Sequence, residues 1–542
     1  MMNFRTILQP GALVLAGILV SQAASAGTEA PAIGETPSRP SVAQKALKRT
    51  ACGGAIEKAT WALWDESGRA WVSGQLLQKR LRDQGDTYAL YDLESTLHNL
   101  LSMAIRCGRP ERLNEFASDW SLVYGQLGPV QLAGSAAGGS KVYRQSMASS
   151  ASPDSSDPRG WICRGGASCN SGNRLRDTEV MLVSVQGLAL LSQLANSLTG
   201  SPAKSEKNEK FVNETAQLLA SHLLRATDKE SLALWGEAIQ KTPSDIVDGS
   251  SKYFFKDQEL WLIGLYAELA GILVKRPDLR SSFFLDEKAV RHHQQAIKVL
   301  LTFFNSRISL KEINSPGTGE TMAAELDRGF WRLYSDNHYA GYTGPGKPAV
   351  CAAKDRAVAA DLKVPIKSVE PVSTLGWDLS HSRRLVPVLD ALERNRDALT
   401  KIFELNNKNL PDPNLTRFFS AQLVAHVWNG DTKRPYFSNY WNGSNGWYRV
   451  AYSNGMDRCL EGYPPFGLSS AFPTGGYASW GRYYPILTDI GLSLLDSTID
   501  DAPKPESTSD IADRYGSLMP QASPNVRMAN RLMFWPSLVG VR

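Results

Sequence analysis

Two short segments of this 542-residue chain concentrate side chains that can move protons and bind anions. The first, WRLYSDNHYAGYTGPGKP at 331–348, sets Asn337 and His338 side by side among three tyrosines. Imidazole is the side chain whose ordinary pKa lies closest to neutrality. The loop thus brings His338, Tyr339 and Tyr342 together as groups that could take up and deliver protons. The competing interpretation is structural: His338 bonds a loop carbonyl and Asn337 holds a turn through its side chain.

The second segment, WDLSHSRR at 377–384, repeats polar residues at three-residue steps. A helix beginning here places Asp378, His381 and Arg384 on roughly one face. Asp378 could then orient His381, much as a carboxylate prepares a general base. The alternative is that Asp378 is only the helix N-cap and His381 packs in the first turn beneath Trp377.

A third segment, 436–485, consists largely of aromatic residues, Gly, Asn and Pro, so it cannot form one regular element. Its aromatic rings must pack on the rim of the fold or line a cleft. We expect the cleft, with Arg449 nearby for an anion, and we expect the acids Asp457 and Glu461 to suit general acid–base work. The predicted substrate-binding residues are Trp331, Trp441, Trp447, Tyr448, Arg449 and Trp480.

The amino terminus has the pattern of a secretory signal peptide. Arg5 precedes the apolar run GALVLAGILV, and SQAASA follows it, which predicts cleavage after Ala26. The run is too short to span a bilayer, and no later segment has the roughly 18 uninterrupted apolar residues of a membrane helix. We expect an exported protein, periplasmic or extracellular, without a membrane span. Residues 27–50, rich in Pro, Ser, Ala and Glu, are predicted to be a flexible lead-in.

The six cysteines fit an oxidising compartment, because their number is even. Many connectivities are open to six cysteines, but the loop CRGGASC favours one short bridge. No C-x-x-C pairs with a second such motif, so we predict no structural zinc. Adjacent His292 and His293 would point about 100° apart on a helix, and no Gly-rich phosphate loop or nicotinamide fingerprint occurs, so we predict no other metal and no cofactor. The simplest set of pairs is Cys52–Cys107, Cys163–Cys169 and Cys351–Cys459.

Composition favours carbohydrate over nucleic acid as a partner. The formal charge is only +5, and basic and acidic residues are mixed without a basic block. Many of the 14 tryptophans and 18 tyrosines fall in loops rich in Gly and Asn. Such aromatic platforms suit the apolar faces of sugar rings, so we expect a polysaccharide or oligosaccharide substrate. The oligomeric state is left open.

Helical periodicity dominates the rest of the chain. YALYDLESTLHNLLSMAIRCG spaces its leucines at three- and four-residue steps, and seven further segments behave alike. Strand signals are scarce and no fixed-period repeat occurs, which disfavours a solenoid. We predict an all-α fold, an incomplete (α/α) toroid of helical hairpins with long aromatic-rich loops. The predicted divisions are a signal peptide 1–26, the lead-in 27–50, a catalytic toroid 51–498 with a loop insertion 134–177, and a C-terminal extension 499–542.

The helical pattern and the motif Asp336-Asn337-His338-Tyr339 resemble the α/α-toroid polysaccharide lyases of the alginate-lyase group, which carry Asn-Asn-His followed by Tyr or Trp. The resemblance implies β-elimination on a polymer containing uronic acid. Asp336 departs from the pattern, and its carboxylate would repel an acidic sugar unless it is paired or turned away. In such a lyase, Asn337 would neutralise the substrate carboxylate while His338 removes the C5 proton. Tyr339 or Tyr342 would be the acid, and Arg384 could clamp the carboxylate through two bonds.

Two other functions fit the same residues. An inverting glycoside hydrolase needs two carboxyls far enough apart to admit a water, and Asp336 or Asp378 with Glu461 would make such a pair. A non-catalytic glycan-binding protein would need the aromatic residues but neither a general acid nor a general base. The fold alone does not choose among the three.

Overall fold

The structure, a computed structural model, describes residues 42–135, 141–145, 158–170, 175–200, 205–247, 251–284, 286–351, 360–453, 459–498 and 508–541. Helix accounts for 61% and strand for 9%, so the predicted mainly helical class is confirmed. The predicted signal peptide lies outside the described residues.

The helices are short to medium in length and follow one another along the whole chain. Between α2 and α4 the helix continues through π-helical turns at Trp64–Gly68 and Val72–Asp83. The helices are α1 Val42–Thr50, α2 Ala55–Leu63, α3 Arg69–Trp71, α4 Tyr88–Arg106, α5 Pro110–Trp120, α6 Met181–Thr199, α7 Glu206–Ala226, α8 Lys229–Ile239, α9 Asp257–Lys275, α10 Arg280–Phe283, α11 Glu287–Ser306, α12 Leu379–Ser382, α13 Leu385–Arg394, α14 Arg396–Phe403, α15 Leu415–Gln422, α16 Ala471–Thr474, α17 Ile486–Thr498, α18 Thr508–Tyr515 and α19 Pro524–Phe534.

Within the described residues, the strands form one small sheet and three two-stranded ribbons, more than the sequence pattern indicated. Part of the predicted loop insertion is ordered as the antiparallel sheet β3-β1-β2-β4. These short strands gain their hydrogen bonds from partners distant in sequence, which local periodicity does not reveal. The strands are β1 Leu127–Ser135, β2 Lys141–Gln145, β3 Arg159–Trp161, β4 Thr178–Val180, β5 Ile308–Ser315, β6 Gly319–Leu326, β7 Ala349–Cys351, β8 Ala360–Leu362, β9 Tyr452–Ser453 and β10 Cys459–Leu460.

Helices α6 and α9 form the centre of the core. Almost every residue of each is buried, as expected for a helix that is hydrophobic all round. Helix α6 packs against α4, α7 and α9, and α9 packs in turn against α13 and α14. Among the described residues, α6 alone is long and apolar enough to cross a membrane, but 89% of its apolar window is buried inside the protein. That burial is typical of a core helix.

The C-terminal segment returns to the beginning of the helical body. Helix α19 packs on α4, and the backbone N–H of Gly540 donates to the carbonyl of Thr50 over 2.7 Å. Leu532 and Leu538 are fully buried. Helix α19 and the residues after it therefore pack against the helical body, and helix α1 lies within residues 27–50.

Disulfides join Cys52 to Cys107 and Cys163 to Cys169, as predicted. Cys351 is also disulfide-bonded, whereas the side chain of its predicted partner Cys459 lies outside the described residues. Disulfides are compatible with an exported protein.

Candidate functional site

The three segments singled out from the sequence meet around the imidazole of His381. The ring centre of Trp331 lies 5.5 Å from that of His381, edge to face. The hydroxyl of Tyr448 lies 3.5 Å from His381 Nδ1. The backbone N–H of Trp447 donates to the carbonyl of Tyr342 over 3.0 Å. Loops more than 100 residues apart in the chain are thus in direct contact.

Asp378 caps helix α12 and holds His381 at the same time. Its Oδ1 accepts hydrogen bonds from the backbone N–H groups of Ser380 (2.9 Å) and His381 (3.1 Å), as an N-cap does. Its Oδ2 is hydrogen-bonded to Nδ1 of the His381 ring. The two interpretations of this segment are therefore compatible, because each carboxylate oxygen serves one of them.

The hydrogen bond to Asp378 engages Nδ1 of the His381 ring and leaves Nε2 as the nitrogen that can exchange a proton with a substrate. Burial opposes ionisation of Asp378, but the His381 ring and the Ser380 hydroxyl outweigh it and hold the pKa of the carboxyl well below its usual range. A buried, ionised carboxylate fixes the tautomer with hydrogen on Nδ1, which leaves the Nε2 lone pair as a proton acceptor. His381 is 5% exposed, whereas Asp378 is fully buried.

Tyr448 places a phenol beside the dyad. Burial raises the pKa of Tyr448 well above its ordinary value, so the hydroxyl stays protonated and can only donate a proton at neutral pH. Its backbone pairs with Tyr463 in an antiparallel bridge, and the two rings lie 5.9 Å apart. The ring of Tyr334 lies 4.7 Å from that of Trp331. Tyr334 and Tyr463 are both only half-buried. Aromatic surface therefore borders the dyad.

Asp336 and Arg449 form a buried ion pair near the dyad. Arg449 Nη2 lies 3.0 Å from Asp336 Oδ2, and the Arg449 backbone N–H donates to the Asp336 carbonyl. Arg449 has a φ of 55°, an unusual left-handed conformation for a residue with a side chain. The pair neutralises the carboxylate that would otherwise repel an acidic sugar, and it places a guanidinium beside Tyr448.

The residues of the Asn-His motif occupy different environments. Asn337 is fully buried and its Nδ2 donates to the carbonyl of Trp331 over 2.7 Å, so its amide holds the turn. His338 is exposed and its ring lies 5.7 Å from that of Tyr339. Tyr339 and Tyr342 are half-buried, and burial raises the pKa of Tyr339.

Several other predicted site residues lie in packing positions. Trp441 and Trp480 are each 1% exposed and stack edge to face in the core. Trp447 belongs to a small apolar cluster with Ala349, and its Nε1 donates to the carbonyl of Gly344. We infer that these three rings support the loops rather than form an open platform.

The remaining predicted charges are already engaged. Arg384 is 4% exposed, and its Nη2 lies 3.2 Å from Asp257 Oδ2 and 3.1 Å from the Tyr91 hydroxyl. Glu461 is exposed and pairs with Lys347. Asp457 lies outside the described residues.

Sequence reasoning missed a polar group on α4 that contacts the start of α13. Arg383 Nη2 donates to the Tyr91 hydroxyl (3.1 Å) and to Ser95 Oγ (2.8 Å). Burial raises the pKa of the nearby Glu94 to about 7, against the attraction of Arg383, while Gln186 donates to its Oε2. The sequence does contain a signal for this group, because a carboxylate among the leucines of a strongly apolar helix must be buried with polar partners.

Comparison with known proteins finds no match among family models, curated proteins or solved structures. The functional interpretation therefore depends on the geometry described above.

Proposed function

We propose that the protein is an exported polysaccharide lyase that cleaves a polymer containing uronic acid by β-elimination. The observation that carries the proposal is the buried Asp378–His381 dyad with the protonated phenol of Tyr448 beside it. A base and an acid within one cluster are what proton removal from C5 and proton delivery to O4 require.

The proposal includes the incomplete (α/α) toroid as the scaffold. Its support is that α4, α6, α9 and α13 pack in succession, and that α19 returns to α4. The clusters around His381 and Glu94 adjoin, because Arg383, which follows α12, donates to Ser95 beside Glu94 on α4.

In the proposed reaction, His381 Nε2 takes the C5 proton of the uronate. The electron pair of the broken C5–H bond forms the C4=C5 double bond as the C4–O4 bond breaks. Tyr448 donates its proton to the departing O4, and solvent then restores both groups. Arg449 lies beside Tyr448 and shares its charge between Asp336 and the substrate carboxylate, which stabilises the carbanion-like transition state. Asn337 positions the loop, and the half-buried Tyr334 and Tyr463 offer ring surface for the sugar.

The inverting hydrolase is the second candidate, and one observation favours it. Glu94, with its pKa raised to about 7, is a carboxyl that can hold a proton near neutrality, as a general acid must. The acids suggested by the sequence fit less well, because Asp378 and Asp336 are buried in ion pairs and Glu461 is exposed beside Lys347.

The test incubates the protein, freed of residues 1–26, with uronic-acid polymers and neutral glucans. Ultraviolet absorbance of an unsaturated uronate together with new reducing ends identifies a lyase. Reducing ends alone identify a hydrolase, and binding without either product identifies a glycan-binding protein.

Four variants then locate the chemistry. In the lyase, His381→Ala should lower turnover per folded molecule by on the order of 10²–10⁴. The exposed His338→Ala is the matched histidine control and should retain most activity. If His381→Ala were fully active and His338→Ala inactive, the general base would be His338 of the Asn-His motif and not His381. A dead Glu94→Gln or Glu461→Gln, with His381→Ala active, would favour the hydrolase.

A further inference from the structure

A cavity of about 250 Å³, with charged and polar side chains in its wall, lies beside the C-terminal half of α4. Its volume corresponds to on the order of eight waters at liquid density, enough for a compact polar molecule. The residues that matter for its chemistry are His98, Asn99, Ser102, Arg106, Asp390 and Arg482.

One face of α4 connects this cavity with the polar group near the dyad. Glu94, His98, Ser102 and Arg106 recur at four-residue steps, so their side chains follow one another along the helix. The stripe begins at Glu94, close to Arg383, and ends at Arg106, the last residue of the helix. A polar stripe on a buried helix requires partners, and its far end faces the cavity.

The guanidinium of Arg106 lines this cavity, and no described carboxylate forms an ion pair with it. Its Nε and Nη2 donate to the backbone carbonyls of Pro536 and Val539. No described carboxylate lies within ion-pair distance of Arg106, since Asp390 pairs with Arg394 and Arg482 instead. Carbonyl dipoles and the C-terminal end of α4 only partly compensate the charge.

The surroundings of Arg106 destabilise its charged form. Burial lowers the pKa of Arg106 to about 10, and Arg482 nearby acts in the same direction while Asp390 opposes it. An anion in contact with the guanidinium would remove this penalty, because buried charges are favourable only when paired.

Neutral groups around the cation are suited to hydroxyls. Ser102 Oγ is 3.3 Å from His98 Nε2, and Asn99 also lines the cavity. His98 Nδ1 is buried with no hydrogen-bond partner, 3.8 Å from Glu94 Oε1. Trp480 contributes ring surface to the wall, which gives this residue a place in a cavity other than the predicted cleft.

We propose that this cavity binds a small oxyanion, a carboxylate or phosphate group carried by a compact hydroxylated molecule, at a site separate from the Asp378–His381 dyad. The guanidinium of Arg106 binds the oxyanion, and Asn99 and Ser102 bind its hydroxyls. The site does not depend on the proposed lyase activity, because none of these residues takes part in the reaction.

The test is isothermal titration of the protein, freed of residues 1–26, with D-glucuronate, inorganic phosphate and D-glucose as probes. Saturable binding of glucuronate alone identifies a sugar acid, and binding of phosphate alone identifies a phosphate ligand. Binding of both supports the shared oxyanion chemistry, whereas glucose should not bind. Equal binding of glucose, or no saturable binding of either anion, would overturn the proposal.

Variants separate this site from the dyad. Arg106→Gln should weaken anion binding about tenfold or more, because a charge-assisted hydrogen bond is lost. Ser479→Leu narrows the cavity without touching the bonds of Arg106 and should also weaken binding, which keeps the test valid if Arg106→Gln misfolds. The exposed Arg291→Gln is the matched control, and it and His381→Ala should bind like the wild type. Unchanged affinity in Ser479→Leu and folded Arg106→Gln, or loss of binding in His381→Ala, would refute the site.

Discussion

Replacing Asp378 by Asn separates the two tasks of this carboxylate. Asparagine is as good an N-cap as aspartate, so the amide oxygen can keep the bonds from the backbone N–H groups of Ser380 and His381. The other end of the side chain becomes an NH₂ group, which donates to His381 Nδ1 instead of accepting from it. The ring then carries its hydrogen on Nε2 and can no longer take a proton there.

The expected magnitudes follow from these bonds. The cap is retained, so Asp378→Asn should lower the free energy of unfolding by only about 1 kcal/mol, the value of one exchanged hydrogen bond. Asp378→Ala should cost about 2–4 kcal/mol, about 1 from the lost cap and about 1–3 from the unpaired imidazole nitrogen. Turnover of Asp378→Asn should fall by about 10⁴, as it does when the tautomer is reversed in a serine-protease triad.

The assay measures turnover on a uronic-acid polymer, normalised to folded protein by circular dichroism, with urea unfolding in parallel. Asp286→Asn is the matched control, because Asp286 caps α11 and accepts from the Ala289 N–H without holding a histidine. A stable Asp378→Asn variant with wild-type turnover would show that the dyad has no chemical role. Equal loss of activity in Asp286→Asn would show that the assay responds to helix capping alone.

Three further predictions test the same structure. Tyr448→Phe should lower turnover by on the order of 10²–10⁴ with little change in KM or unfolding free energy, because its hydroxyl donates a proton but makes only a 3.5 Å contact; unchanged turnover would remove it as the acid. The folded pKa of Glu94 is raised from 4.5 to about 7, so the stability that its proton contributes at low pH should decline as pH rises through this window, by about 3 kcal/mol in total. The pKa of His98 is lowered to about 4, so protonation of this residue should decrease the stability of the protein as pH falls below about 6.5. To isolate Glu94, urea unfolding of the wild type and of Glu94→Gln should be compared at each pH. Identical pH profiles of the two proteins would contradict the assignment to Glu94. Replacing Cys52 and Cys107 by alanine should cost about 4 kcal/mol, because their bridge spans 55 residues, and an unchanged Tm would refute that value.

Local spacing predicted the parts of the site that local structure controls. The three-residue step from Asp378 to His381 matches one turn of helix, and a side chain at the N-cap reaches the ring of the residue three positions on. The helix over Tyr88–Arg106 follows in the same way from leucines at helical spacing. The short loop between Cys163 and Cys169 likewise made their bridge predictable.

Contacts across the chain could not be predicted from periodicity. Nothing local indicates that Arg449 pairs with Asp336, or that Tyr448 reaches His381 over 67 residues of sequence. The aromatic positions of the third segment were expected on the rim of the fold or in a cleft, and several of them lie in the core instead. A tryptophan such as Trp441 enters the core because its indole N–H finds a buried carbonyl, here that of Ala324, and the sequence does not reveal that partner.

The geometry explains why a carboxylate is tolerated at the first position of the Asn-His motif. An isolated Asp336 would be costly to bury and would repel a uronate, but Arg449 approaches it from a loop with left-handed backbone. That conformation costs energy in a residue with a side chain, so the surrounding loop must stabilise it. The antiparallel bridge between Tyr448 and Tyr463 supplies such a constraint, and it fixes the phenol and the guanidinium together. One loop conformation thereby positions the proposed acid beside His381 and the positive charge beside Asp336, which couples the two parts of the site.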